Sequence, residues 1–264
     1  MHINPTWRVL TVGDGDLTFS RALKMNYPDL SLVASVYDSE ETLRNKYEQH
    51  AIDDLHNAQV PVYFEFDVTD TTCWAKLART FDVVIFQFPL IPSFTSKEAF
   101  ESTPYSVNTL NRILLRKFIH HSQQYALDPN GPMLSYITSK DVKPYREWNL
   151  EGSLISNLNY HYLGCSPFHI ELFPDYKIRN VDRDKHVKDT SGITYVWSSK
   201  TELSENHSLQ VPEYLGEQYC TMCRVGEFFN EQDKSAHKRS RLHKAMARNE
   251  VAWEAYLAVE NLQD

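Results

Sequence analysis

Hydrophobic positions along the chain fall into short runs separated by polar, helix-compatible stretches. Residues 7–12, 32–37, 60–66, 81–88 and 133–138 are apolar and β-rich, each long enough for one buried strand. Between them, residues 17–26, 40–50, 71–80 and 108–126 carry polar or amphipathic patterns that predict helices, and 150–158 predict one more. Pro129-Asn130-Gly131-Pro132 marks the turn into the fifth strand. Residues 160–165 and 193–197 read as the final strands. Near-continuous apolar strands alternating with helices predict an α/β fold with a mostly parallel, doubly wound sheet covered on both faces. Residues 174–192 are polar and predict a loop.

In such a sheet, ligands collect at the carboxyl ends of the strands, near the switch point. The residues expected there are Gly13-Asp14-Gly15-Asp16, Asp38, Asp67 and Gln87-Phe88-Pro89. Glycines directly after a strand let the backbone turn tightly and approach a ligand closely. Asp38 stands 23 residues after Gly15, where an acid hydrogen-bonds the ribose of a nucleoside cofactor. Asp67 is placed to meet an adenine amino group. A dinucleotide loop would carry a third glycine, but Thr18 occupies that position. Asp14 and Asp16 would repel a pyrophosphate and favour a cationic ligand without phosphate. S-adenosylmethionine has that character, so a methyltransferase is expected. The plainer reading is that one loop acid caps the helix beginning near Leu17.

The run Val9-Leu10-Thr11-Val12-Gly13-Asp14-Gly15-Asp16-Leu17-Thr18-Phe19-Ser20 resembles the opening motif of Rossmann-like uridine-N3 methyltransferases of eukaryotic large-subunit rRNA. Ser35-Val36-Tyr37-Asp38-Ser39-Glu40-Glu41, the strand from Phe81 to Pro89, and Lys143-Pro144-Tyr145-Arg146-Glu147-Trp148 are similar to later segments of that family. The resemblance covers about residues 7–200. It implies a class I methyltransferase fold and adds Phe19, Ser20 and Gln87 to the cofactor-binding set. The family usually reads Asn-Phe-Pro-His where this chain has Gln87-Phe88-Pro89-Leu90. The amide is kept, one methylene longer, and the histidine is replaced. Catalysis is expected by in-line methyl transfer, in which the protein aligns nucleophile, methyl carbon and sulfur. Gln87 and Pro89 beside the methyl group, Lys140 or Asp141 after the fifth strand, and Tyr145 or Trp148 as stacking surfaces for an extruded base are the candidate catalytic residues. For the two aromatics, packing is the commoner role.

Length and composition bound the rest. The chain has 264 residues, 42% hydrophobic and 23% charged, which fits one large domain plus a small module. No apolar run approaches the ~18 residues of a membrane span. The start, Met-His-Ile-Asn-Pro-Thr-Trp, lacks the pattern of a secretion signal. An intracellular, cytoplasmic protein is expected, nuclear or nucleolar in a eukaryote. Net charge is −8, which excludes a uniformly basic nucleic-acid binder. Yet residues 220–248 hold seven Lys or Arg against three acids, and the final 16 residues hold four acids and no base.

Cys73 and Cys165 are isolated and read as small buried apolar residues. Cys220, Cys223, His237 and His243 instead form a Cys-x2-Cys-x13-His-x5-His pattern, the donor set of a tetrahedral structural zinc site. Both histidines are expected on one helix, over a small core from Phe228 and Phe229. The segment resembles matrin- or U1-type zinc fingers, small ββα modules that bind RNA or protein. Lys238, Arg239, Arg241, Lys244 and Arg248 would share the finger helix and contact RNA phosphates, structured rRNA being favoured. A solvated helix face is the plainer reading of that charge.

The expected organisation is a methyltransferase domain over residues 1–200, a linker over 201–213, a finger over 214–248 and an acidic C-terminal helix over 249–264, placed against the body or a protein partner. The competing functions are a catalytically inactive RNA or protein adaptor, and a methyltransferase acting on a protein or small molecule.

Overall fold

The computed structural model describes residues 1–94, 96–180, 183–186, 192–201 and 208–260. Along them run β1 (Arg8–Val12), α1 (Thr18–Asn26), β2 (Ser31–Ser35), α2 (Glu40–Lys46), α3 (Ile52–Asn57), β3 (Val62–Tyr63), α4 (Thr71–Trp74), β4 (Val83–Gln87), α5 (Lys97–Ser102) and α6 (Val107–His121). There follow β5 (Leu134–Lys140), β6 (His161–Phe168), β7 (Arg179–Asn180), β8 (Arg183–His186), β9 (Gly192–Ser198), α7 (Glu231–Arg239) and α8 (Arg241–Leu257).

Seven strands form one sheet in the order β3-β2-β1-β4-β5-β9-β6. The first five in that order are mutually parallel, while β9 lies antiparallel between β5 and β6. Every residue of β4 and of β5 is buried, as a strand covered on both faces requires. Alternation along the strands divides the core in two. On one face Val9, Val83 and Ile85 pack with Phe19, Leu23, Leu43 and Leu55 from α1, α2 and α3. On the other, Leu10, Val84 and Phe86 pack with Leu115, Phe118 and Ile119 of α6 and with Trp148 and Leu154. Each large apolar side chain so buried contributes about 1.5–3 kcal/mol.

Several elements differ from the sequence pattern. The helix expected over 71–80 stops at Trp74. The stretch 40–50 is helical only to Lys46, and α3 and α5 follow where no helix was expected. Only Val62–Tyr63 of the 60–66 run is paired. Residues 150–158 form no α-helix, only a 3-10 turn at Ser153–Ile155. There the Arg116 guanidinium donates to the carbonyls of Leu154 and Ser156, both at 2.8 Å, engaging oxygens that a helix would pair with its own amides. The polar stretch 174–192 is not simply a loop, for it carries the β7–β8 ribbon. Part of it, residues 181–182 and 187–191, lies outside the described residues. In the expected linker, residues 202–207 also lie outside them, while Gln210 exchanges two backbone hydrogen bonds with Cys165 of β6.

The C-terminal part also departs from a simple ββα module. Cys220 and Val225 meet in an isolated bridge, with no extended strand among the described residues there. The expected single helix through both histidines is broken at Ser240, whose extended backbone starts α8 and whose Oγ accepts from the His243 amide at 3.1 Å. His237 therefore lies on α7 and His243 on α8. Helix α8 then continues through residue 248 to Leu257, so the segments expected as finger and acidic tail share one helix. Its far half is docked on the body. Trp253 is buried with its indole N–H on the Ser153 carbonyl, and Glu250 and Glu260 pair with the buried Arg112 and Arg116 of α6.

Candidate functional site

A cavity of about 380 Å³ opens at the carboxyl ends of β1, β2 and β4, within the ~300–1,000 Å³ usual for ligand pockets. Gly13, Asp14, Gly15, Asp16, Asp38, Asp67, Gln87 and Pro89 all line it. Gly13 has φ +61°, and a Cβ there would fall 2.4 Å from the Phe86 ring, so only glycine fits. Phe19 and Ser20 do not line the cavity; both are fully buried behind the loop, Phe19 in the core and Ser20 bonded to Asp14.

The loop acids are engaged by the protein itself. Asp14 Oδ2 accepts from the Ser20 amide at 2.7 Å and from its hydroxyl. Burial pushes the Asp14 carboxyl up to about 7. Asp16 Oδ1 accepts from the amide and hydroxyl of Thr18, and Oδ2 from Arg179 Nε. Leu17, at the helix N-cap, is left-handed and has no side-chain acceptor, so Asp16 supplies the cap. The expectation of two uncompensated anions is thus corrected. Asp14 is partly protonated near neutral pH, and Asp16 is neutralised by a cation that the sequence reading did not single out. Asp38 pairs with Lys46 at 2.9 Å. Asp67 Oδ1 closes a turn onto the amide and hydroxyl of Thr69.

Gln87 ends β4 and is 7% exposed, and its Oε1 is buried without a hydrogen-bond partner among the described residues. An orphaned acceptor on a cavity wall is what a site awaiting a polar ligand presents. A cavity lined by apolar Val68, Leu110 and Leu114 together with polar groups at the strand ends suits a nucleoside. Lys140 and Tyr145 do not line this cavity. Lys140, expected after the fifth strand, is the last residue of β5, and its Nζ lies 5.8 Å from the ring centre of Tyr145 beyond it. Burial lowers the Lys140 pKa and raises that of Tyr145. Trp148 is a core side chain, 1% exposed, and offers no stacking surface.

The sequence reading missed Arg179, Lys46, Tyr47 and Tyr176, all on the cavity wall. Tyr176 and Arg179 come from the stretch taken as a loop. Its basic residues were visible, but nothing local showed that they fold back over the glycine turn.

Cys220, Cys223, His237 and His243 come together at the C-terminal module, with their donor atoms all within 4.8 Å of one another. His243 Nδ1 lies 3.5 Å from Cys220 Sγ, 3.7 Å from Cys223 Sγ and 3.3 Å from His237 Nε2. A tetrahedron with Zn–N near 2.0–2.1 Å and Zn–S near 2.3 Å has edges of about 3.3 Å for N···N and about 3.6 Å for S···N. The donor set fits zinc. Lys238, Arg239, Arg241, Lys244 and Arg248 are exposed. None has an ion-pair partner among the described residues.

The strand order, the glycine turn after β1 and the acid after β2 place the chain among Rossmann-like α/β proteins that take a nucleoside cofactor at their strand ends. Residues 10–180 match the family model described as rRNA (uridine-N3-)-methyltransferase BTM5-like, and the chain belongs to this family of S-adenosylmethionine-dependent methyltransferases. It is 25% identical over 181 residues to the uncharacterised protein At4g26485 of Arabidopsis thaliana, covering 66% of this chain and 82% of that one. Among solved structures it is similar to TrmN from Thermus thermophilus (TM-score 0.42, 11% identity, 74% of this chain and 44% of that one). It is also similar to a 30S ribosomal A1408 methyltransferase from an uncultured bacterium (TM-score 0.42, 9% identity, 75% and 95%). The chain spans under half the length of the Thermus protein.

Proposed function

We propose that this protein transfers a methyl group from S-adenosylmethionine to a base of ribosomal RNA, uridine N3 being the leading target. We further propose that it carries one structural zinc ion in a finger that contacts RNA. The observation that carries the reading is Gln87: a buried amide oxygen without a partner among the described residues, at the end of β4, on the wall of a cavity built from the glycine turn and the strand-end acids.

When bound, the cofactor supplies an electrophilic methyl group. The protein's own residues do the rest. Gly13 and Gly15 keep the turn open for close approach. Asp38, on release from Lys46, accepts from ribose hydroxyls. Gln87 Oε1 accepts a hydrogen bond from the substrate base or the cofactor ammonium and fixes its orientation. Lys140 is the candidate proton acceptor, because burial favours its neutral amine. Tyr145, half-buried beside it, is the candidate stacking surface. In the finger, the exposed cations on α7 and α8 neutralise RNA phosphates. A nuclear or nucleolar location in a eukaryote accords with such a substrate.

The test has two arms. Calorimetric titration with S-adenosylmethionine is expected to show one site. Labelled methyl transfer into rRNA from cells lacking the protein, followed by nucleoside mass spectrometry, is expected to give 3-methyluridine. No heat would make the protein an inactive adaptor, and label in protein rather than RNA would displace the RNA reading.

A further inference from the structure

Besides the docking of α8, one residue of the metal-binding turn faces both the finger and the body. Arg224 directly follows Cys223 in the metal-binding turn. The turn is closed by Cys220 and Val225 backbone bonds and by the Cys223 amide on the Cys220 carbonyl. Arg224 has a left-handed backbone, φ +53°, and its side chain lies against the body. Its side chain is 9% exposed. Nη2 donates to Glu151 at 2.9 Å, and Nη1 reaches Asp141 at 3.5 Å. The guanidinium lies over the Tyr214 ring at 4.8 Å, and the Tyr214 hydroxyl donates to Glu151 as well.

Both acids belong to the segment that follows β5. Asp141 is next to Lys140 and also holds Arg146 through two bonds of 2.6 and 2.7 Å. Glu151 is buried, and its second oxygen has no partner among the described residues. Residues 141–151 also carry Tyr145 and Trp148. Arg112 of α6 also holds this segment, through the Glu147 carbonyl, but Arg224 is the cation that reaches it from the turn carrying two of the metal ligands. A module of about 30 residues without its metal cannot hold such a turn on its own.

We propose that Arg224 is a positioning residue through which metal occupancy of the finger orders the segment after β5, which carries Tyr145 and adjoins Lys140. The finger is then a metal-dependent brace for the substrate face, beyond any contact it makes with RNA. The proposal rests on the zinc reading above.

The test uses the full chain. Cobalt(II) binding is read by its thiolate charge-transfer band, and hydrogen exchange is followed with zinc bound and after chelation. Chelation is expected to speed exchange across residues 141–152 roughly tenfold, the scale of losing a charged hydrogen bond, with β1 and β4 unchanged. Arg224→Ala, which leaves Glu151 buried without its cation, is expected to do the same with zinc still bound. Asp141→Asn, at a partly exposed site, keeps the fold and is expected to lose the metal dependence in 141–147 alone. In zinc-loaded Arg224→Ala, calorimetric affinity for S-adenosylmethionine is expected to stay within about twofold of wild type while turnover on rRNA falls roughly tenfold. A purely structural role would lower the two together. A cobalt band with unchanged exchange in 141–152 on chelation overturns the brace and leaves the zinc reading standing. No cobalt band overturns both.

Discussion

Asp14 offers a sharp test of how the cofactor turn is built. Its carboxyl is buried, accepts two bonds from Ser20 and is raised from 3.8 to about 7 by that burial. Below pH ~4 it is protonated in both folded and unfolded chains and makes no difference to stability. Between pH ~4 and ~7 the folded chain keeps the proton and the unfolded chain does not, so stability falls as pH rises. About three units at ~1.4 kcal/mol each give a loss of about 4 kcal/mol, complete above pH ~7. Asp14→Asn keeps an acceptor for the Ser20 amide but cannot ionise. Urea unfolding of both proteins at pH about 4.5, about 6 and about 8 is the assay. Wild type is expected to lose stability relative to the variant across that range, steeply below pH 7 and little beyond. Parallel profiles would mean that Asp14 is not buried as described. A cationic ligand would favour the charged carboxylate, so S-adenosylmethionine affinity is expected to rise with pH through about 7 in wild type and to stay flat in Asp14→Asn.

Other perturbations address other parts of the structure. Gly13→Ala forces a Cβ onto the Phe86 ring at positive φ and is expected to cost about 2–4 kcal/mol from left-handed strain plus overpacking, read as a lowered urea midpoint. Asp38→Ala is expected to weaken cofactor binding by calorimetry roughly tenfold or more, with unfolding midpoint near wild type, as for loss of a charged hydrogen bond; unchanged affinity would remove Asp38 from the site. Glu250→Ala leaves the fully buried Arg112 without its 2.6 Å partner and is expected to cost about 3–5 kcal/mol, visible as fraying of α8 in hydrogen exchange. Cys220→Ser is expected to lower bound zinc, measured by elemental analysis, together with RNA affinity; RNA binding that survives zinc loss would separate the finger from RNA recognition.

What the sequence made legible was local. Apolar runs marked β1, β4 and β5 because both faces of those strands are buried. The glycine spacing marked the turn because Gly13 admits no side chain. The Cys-x2-Cys and His spacing marked a four-donor cluster because a tetrahedron constrains its ligands tightly. What stayed hidden depended on partners distant in sequence. Residues 150–158 have a helical pattern, but Arg116 holds two of their carbonyls. Asp16 looked like a free anion because Arg179 lies 163 residues away. A polar stretch of 19 residues, 174–192, concealed the cation that completes the glycine turn.

The same distinction applies to the basic segment. A cation serves RNA only if no buried acid of its own chain has already taken it. Arg224 counts toward the seven bases of residues 220–248, yet Glu151 and Asp141 hold it against the body. Lys238, Arg239, Arg241, Lys244 and Arg248 remain exposed, split between two helices that meet at Ser240. That break sets the direction of their charge. Helix α8 is pinned to α6 at its far end, so Arg241, Lys244 and Arg248 have a fixed bearing relative to the cavity. Lys238 and Arg239 sit on α7, whose placement depends on the four-donor cluster. If phosphate contact is shared between the helices, metal loss should remove the contribution of α7 first. The salt dependence of RNA binding should then become shallower by about two charges rather than vanish. A complete loss of salt dependence on chelation would show that α8 does not keep its bearing without the metal.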